Sequence, residues 1–294
     1  MDDHKESVLV IGATGQQGGA VARALLGRGR TVHALVRDPD RPAARELRAA
    51  GARLVAGDLD DLASMRAAMG GVGGVFLMLT SVTSGTVSLE DVEAEVRRGK
   101  AVADLAAEAG VAHFVYSSVA GADQNTGIPH LESKGRIEAH IRGLGLPATV
   151  LRPVFFMENF TTVTRPVLAD GGLIVALALR PTSQLPLISI PDIGEFAALA
   201  FDQPETFIGQ TLVIAGDDLS AAGMAERFGE AAGIPARFHQ TPLEQLRAFD
   251  EEVAKMFDWF DSGAMERPDL PALRALHPKA MTLAAWLHST AWRP

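Results

Sequence analysis

The 294 residues contain no cysteine and only one tyrosine. Without cysteine there are no disulfides, thiolate metal ligands or thiol nucleophile, and a disulfide-free chain fits a reducing cytosol, so a cytoplasmic location is expected. Basic residues are in the minority, 27 against 36 acidic, and the formal charge of −9 disfavours attraction to nucleic-acid phosphates or anionic membranes. Neither is expected as a partner. No apolar run reaches the roughly 18 residues of a membrane-spanning helix; even GGLIVALALRP is bounded by Gly171, Gly172 and Arg180. The opening MDDHKESVLVIGATG carries acidic residues and a short apolar run ending in glycine, and does not read as a signal peptide. The histidines show no metal-ligand spacing, and neither H-E-x-x-H nor G-x-S-x-G occurs, so no metal site and no nucleophile elbow are predicted.

Against these absences stands a regular alternation. Hydrophobic residues make up 47% of the chain, enough for one sizeable core or a core with a smaller lobe. From Val8 to about Pro153, short β-branched runs alternate with longer amphipathic stretches, the pattern of βαβ units and a parallel sheet. Six strands are predicted: Val8–Ile11, Thr31–Val36, Arg53–Ala56, Val75–Leu79, His113–Ser117 and Ala148–Leu151. A sheet-covering helix over Leu89–Ala109 places Val92, Val96, Val102 and Leu105 near helical spacing, with Glu93 and Arg97 set to pair on its solvent side. After Pro153, prolines 166, 181, 186 and 191 punctuate loops, and helix patterns resume at Ile193–Phe201, Ala221–Ala232, Leu243–Phe260 and Thr282–Leu287. Thr211–Gly216 reads as a strand of a smaller lobe, and Trp259, Trp286 and Trp292 as anchors of the C-terminal region. The expected fold is α/β: a Rossmann-type doubly wound parallel sheet over residues 1–153 and a smaller α+β substrate lobe over residues 154–294, with room for the chain to cross between them.

The first βα turn is the most informative segment. VLVIGATGQQGGAVARALL places Gly12, Gly15 and Gly18 directly after a strand and before a helix. Glycines there permit a tight turn and close approach of a pyrophosphate to the free N–H groups of the helix start. Thr14, Gln16 and Gln17 complete the loop as candidate cofactor contacts. The second strand ends in VRDPD, so Arg37 stands where an NAD-selective protein commonly carries an acid. A guanidinium there either pairs with a 2′-phosphate, which selects NADP(H), or is a solvated surface cation. Asp38 beside it keeps NAD(H) open as well. Asp58 and Leu59 follow the third strand, where a carboxylate can accept from adenine, although a helix N-cap at Asp58 or Asp60 is an equal reading. Thr80 follows the fourth strand and is expected near the cofactor.

Taken together, GATGQQGG, VRDP, GDLDD, VYSSVAG, HLESKGRIE and LRPVFFMENF resemble the NmrA-like family of atypical short-chain dehydrogenases/reductases over nearly the whole chain. The resemblance implies NADP(H) across the carboxyl edge of the sheet and a small C-terminal substrate lobe. It covers both reductases and dinucleotide-binding regulators without evident catalysis, so it leaves enzyme status open. Related reductases carry a Ser, Tyr and Lys set with Tyr-x-x-x-Lys on a helix. Here the segment is HLESK, so Lys134 is expected at the nicotinamide ribose and His130 stands in place of the tyrosine. His130 either donates a proton as general acid or merely begins its helix after Pro129. Ser117 or Ser118 either orients a carbonyl oxygen or satisfies a loop backbone. Pro153 and Phe156 resemble the segment passing the nicotinamide, and Phe155, Asn159 and Phe160 are candidate substrate-pocket residues with lobe core as the alternative. Glu158 is a second candidate acid, provided burial raises its pKa.

Two functions compete on these residues. One is an NADPH-dependent reductase of a small carbonyl, quinone or enone. The other is a non-catalytic sensor of the NADPH/NADP⁺ ratio acting on a regulatory protein partner. Either is compatible with an oligomer. A sugar-nucleotide epimerase is disfavoured, because such enzymes generally use the Tyr-x-x-x-Lys pair.

Overall fold

A computed structural model describes residues 7–80, 88–169 and 171–294. Its elements alternate from the start: β1 (Val8–Ile11), α1 (Gln16–Gly27), β2 (Val32–Val36), α2 (Pro42–Ala49), β3 (Arg53–Ala56), α3 (Leu62–Met69), β4 (Gly74–Met78), α4 (Leu89–Glu108), β5 (His113–Ser117), α5 (Pro129–Gly143) and β6 (Ala148–Pro153). There follow β7 (Phe155–Phe156), a 3₁₀ turn (Met157–Thr161), β8 (Val167–Ala169), β9 (Gly172–Leu177), β10 (Gln184–Ile188), α6 (Ile190–Asp202), α7 (Pro204–Phe207) and β11 (Thr211–Ile214). The chain ends with β12 (Asp217–Ser220), α8 (Ala221–Ala232), β13 (Ala236–Gln240), α9 (Leu243–Phe249), α10 (Glu251–Ser262), α11 (Leu270–Leu276) and α12 (Leu283–Ser289).

Two compact units result. The first is built from the described residues of Met1–Asp123, Pro129–Arg152 and Ile193–Leu212, the second from Gln124–Ile128, Pro153–Asp192 and Val213–Pro294. The first unit is formed around a seven-stranded sheet of order β11-β6-β5-β4-β1-β2-β3, in which β1 to β6 pair in parallel. The order turns outward on both sides of β1 and β4, the doubly wound arrangement in which crossover helices cover both faces. Accordingly the central strands are apolar without alternation: Leu9, Val10, Val75, Phe76, Phe114 and Val115 are all fully buried.

The seventh strand corrects the sequence reading. Thr211–Ile214, expected in the smaller lobe, joins the large sheet beside β6, and next to it Gly209 N–H donates to the Ala148 carbonyl at 2.7 Å. The chain is brought back by α6, whose Gly194 packs tightly on Ala20 and whose Glu195 and Asp202 pair with Arg28, each at 2.7 Å. Such a return rests on contacts distant in sequence, which local periodicity does not report. Two smaller corrections concern a salt bridge and a helix break. Glu93 pairs with Arg136 of α5 at 2.6 Å rather than with Arg97. The stretch Leu243–Phe260 breaks into α9 and α10 at Asp250, whose extended backbone lets its carboxylate accept from the Glu252 and Val253 N–H groups as an N-cap.

The second unit holds two three-stranded sheets, β12-β10-β7 and β13-β9-β8. Its interior is aromatic: Phe160 stacks edge-on to Phe228 at 5.0 Å, and Phe228 to Trp292 at 4.8 Å. Among the described residues no helix is long and apolar enough to cross a membrane.

One buried group ties stability to pH. His113, at the start of β5, is 5% exposed and meets Phe201 edge-on. Thr149 Oγ1 donates to the Phe207 carbonyl at 2.7 Å, so the 2.8 Å contact with His113 Nε2 requires the imidazole to be the donor. Burial, with Arg30 nearby, pushes the imidazole pKa down to about 4. In the unfolded chain it takes up a proton near its ordinary value of about 6.5, so stability present above that pH is lost as pH falls toward 4. Denaturant unfolding is expected to show this acid-side loss, on the order of 3 kcal/mol at most, and His113→Gln is expected to flatten the slope between pH 6.5 and 4.

Candidate functional site

The carboxyl ends of β1 to β4 in the first unit open into a groove of about 400 Å³. Gly12, Thr14 and Gly15 reach it from the loop after β1, Arg37 from the end of β2, and Gly57, Asp58, Leu59 and Asp60 from the loop after β3. Leu79 and Thr80 line it after β4, and Glu95 and Arg98 from α4. In an open parallel sheet this edge, where the strand order reverses, is where ligands bind.

The glycine loop follows from what it must approach. Gly12 adopts φ +78°, a left-handed conformation that side chains disfavour. A Cβ on Gly18 would lie 2.2 Å from the Gly12 carbonyl oxygen, so only a hydrogen allows α1 to start against its own turn. Gly15 forms the N-cap of α1 without a side-chain cap, leaving the first N–H groups of the helix for a ligand. Thr14 and Gln16 are exposed at this edge, while Gln17 turns inward to accept a hydrogen bond from Ser117 Oγ at 2.7 Å. Ser117, 1% exposed at the end of β5, thus braces the glycine loop.

A second concavity, about 240 Å³, adjoins Arg37 and is lined by Thr14, Val36, Arg37, Asp38 and Arg41. Two exposed guanidinium groups therefore stand on one rim, with Asp38 3.8 Å from Arg41. The carboxylates after β3 divide their work. Asp61 caps α3 through the Ala63 and Ser64 N–H groups, Asp58 accepts from Asp60 N–H, and Asp60 makes a bidentate pair with Arg98. That pairing holds the Asp60 carboxyl below its usual range.

Lys134 lies on α5, 8% exposed, and donates to the Leu79 carbonyl at 2.7 Å and to the Glu95 carboxylate. Burial lowers its pKa, and Glu95 opposes that shift by charge and hydrogen bond. Glu95 is itself 2% exposed and accepts from Ser133 Oγ at 2.7 Å. One turn further along α5, Glu138 accepts from Ser118 Oγ at 2.5 Å and forms a bidentate pair with Arg152. His130 is half-buried in the first turn of α5, four residues before Lys134. The lone tyrosine, Tyr116, is fully buried in β5, and burial with the charges of Glu95 and Glu138 raises its pKa well above the ordinary value.

The remaining sequence candidates fall in the second unit. Phe155 and Phe156 are half-buried on β7, paired in register with Leu187 and Ile188. Phe155 meets Phe160, Phe257 and Phe260 within 6.5 Å. Phe160 is wholly enclosed by that core, Asn159 is half-buried, and Pro153 is buried where β6 ends. Burial raises the Glu158 pKa, yet its carboxylate is taken up by Ile190 N–H at 3.0 Å and Trp286 Nε1 at 3.2 Å. Its place is a bracket between α6 and α12. Among the described residues no group of three or more histidines and acids is placed to hold a metal ion.

Sequence reading missed Glu95, Arg98 and Arg41. Glu95 had a signal: it falls within the apolar stripe of Val92, Val96 and Gly99, where an acid on a buried face requires a partner. Arg41 and Arg98 look like any surface arginine until the fold turns them toward the groove.

The chain belongs to the NmrA-like family, whose profile matches residues 4–287. An NmrA-like family domain-containing oxidoreductase of Aspergillus hancockii is 32% identical over 261 residues, covering 83% of this chain and 77% of that protein. An NAD(P)H azoreductase of Xenophilus azovorans is 31% identical over 240 residues, covering 82% and 79%. Among solved structures, NmrA, a negative transcriptional regulator in complex with NADP, superposes with a TM-score of 0.80 at 22% identity, over 96% of this chain and 94% of that one. At that identity the likeness establishes the fold.

The close approach at the glycine loop has a direct consequence. Gly18→Ala forces the Gly12 carbonyl or the start of α1 to move, and urea unfolding is expected to show a loss of about 1–3 kcal/mol.

Proposed function

We propose that this NmrA-like protein binds NADP(H) in the groove over β1 to β4 and acts as an NADPH-dependent reductase of a small carbonyl, quinone, enone or azo compound. The observation that carries the cofactor is the pair of guanidinium groups, Arg37 and Arg41, on one rim beside the glycine loop. A dianionic 2′-phosphate between them would accept charge-assisted hydrogen bonds that a ribose hydroxyl does not. The pyrophosphate would take the N–H groups at the start of α1, which Gly12 and Gly18 leave accessible. Relatives agree: the azoreductase uses NAD(P)H by name, and NmrA was crystallised with NADP.

Bound NADPH supplies a hydride. The protein supplies the rest of the site. Lys134 holds its ammonium beside Leu79, next to Thr80 at the end of the groove. Ser117 keeps the glycine loop in place through Gln17. His130, on the face of α5 shared with Lys134 at i, i+4, is the proton donor of this proposal, since an imidazole delivers a proton near neutral pH. Tyr116, enclosed in the sheet with a raised pKa, is unsuited to that task. Phe155, Phe156 and Asn159 keep accessible surface within the second unit. Phe160 supports them from the core.

The sensor reading draws on one observation, the absence of a phenol from α5, and on NmrA being a regulator. It requires unequal affinity for the two redox forms or for a protein partner that distinguishes them, since equal affinity shifts nothing.

Steady-state oxidation of NADPH against a panel of quinones, enones, aldehydes and azo dyes tests the reductase. Turnover that is lost in His130→Phe with NADPH binding retained is the expected outcome, and no turnover with any acceptor would refute it. Arg37→Ala is expected to raise the Kd for NADPH by about 10- to 100-fold, corresponding to one charged hydrogen-bonded contact, while leaving the Kd for NADH within about twofold. Calorimetric titration with both cofactors checks this.

A further inference from the structure

Lys134 does not itself line the groove. It sits behind two residues that do, donating to the Leu79 carbonyl and to the Glu95 carboxylate. Glu95 reaches this position from α4, an element separated from the glycine loop and from HLESK in sequence. Its second oxygen accepts from Ser133 Oγ, so the carboxylate is held from both sides. We propose that Glu95 is a positioning residue, which keeps the Lys134 ammonium charged and aims it at the dinucleotide groove. The inference rests on the NADP(H) reading above.

The geometry carries it in two steps. An ammonium has three N–H donors, and fixing two of them, on Leu79 and Glu95, fixes the direction of the third. A cation this deeply enclosed is also unstable without an opposite charge in contact, because burial favours the neutral amine. The groups facing Lys134 leave that role to Glu95. One turn before it on α5, His130 is not an acid, and the nearby Tyr116 phenol of β5, which feels Glu95, is kept protonated by burial. On α5 itself Glu138 is committed to Arg152 and Ser118, while Ser133 is neutral and serves Glu95. Burial pulls the Lys134 pKa down and Glu95 pulls it back up. Removing the Glu95 charge while keeping its shape should thus let Lys134 lose its proton at a lower pH than in the wild type.

The test is NADPH binding as a function of pH, followed by calorimetry on the full chain. Wild type is expected to keep a constant Kd from pH 7 to 9. Glu95→Gln is expected to bind progressively more weakly across that range, by about tenfold or more at pH 9, as a neutral amine replaces the ammonium. Lys134→Arg in the Glu95→Gln background is expected to restore a constant Kd, since a guanidinium keeps its proton without help. A role in packing alone would weaken binding by Glu95→Gln by the same factor at every pH, so parallel profiles for wild type and Glu95→Gln overturn the proposal. Should Glu95→Gln fail to fold, the wild-type profile decides: affinity lost with a midpoint below pH 9 while Glu95 is intact overturns it, and a constant Kd to pH 9 supports it. Wild type that binds no NADPH at any pH overturns the cofactor reading, and with it this inference.

Discussion

Helix α5 buries two opposite charges one turn apart, Lys134 and Glu138, and neither is tolerable in a dry interior without its partner. Each partner comes from a different element. Lys134 is answered by Glu95 of α4 and the end of β4, Glu138 by Arg152 of β6 and by Ser118 just after β5. Breaking a buried pair by deleting one member typically costs about 3–5 kcal/mol, far more than any surface ion pair contributes. These contacts therefore locate α5 against α4 and the sheet more narrowly than apolar packing alone. Because β4 ends at the groove, the same contacts set where Lys134 and Thr80 stand.

The glycine loop is the other fixed point, and it is joined to the first through β5. Ser117 donates to Gln17 while its neighbour Ser118 donates to Glu138, so consecutive residues link the start of α1 to the charge network of α5. The groove between has its own electrostatics. Although the chain carries a formal charge of −9, Arg37 and Arg41 stand together on one rim, while Arg98 deeper in the groove is paired with Asp60. Local potential, not net charge, decides where an anion binds.

Much of this was legible residue by residue. The strands of the large sheet are short, apolar and separated by amphipathic helices, so their periodicity identifies all six expected strands to within a residue or two. The glycine spacing after β1 and Arg37 after β2 needed no tertiary information, because adjacent strands place their ends side by side. Other features were invisible for specific reasons. Asp250 interrupts a continuous helical pattern by capping, a choice that apolar periodicity does not encode. Thr211–Ile214 has the composition of a strand in either sheet system, and only its pairing beside β6 assigns it to the large sheet. The place of Glu95 in the apolar stripe of α4 signalled that it needs a partner, but only the packing of α5 on α4 shows that the partner is Lys134.

Sequence alone was enough for the fold class, the family and the place of the dinucleotide loop, because these rest on short-range patterns: strand period, turn glycines, and motifs contiguous in the chain. Tertiary structure decided which charges are buried and with whom. Glu95 and Lys134, thirty-nine residues apart, meet because α4 and α5 cover the same sheet face, and desolvation there turns two ordinary polar residues into a coupled pair. That pairing depends on burial, a property that no residue has until the chain has folded.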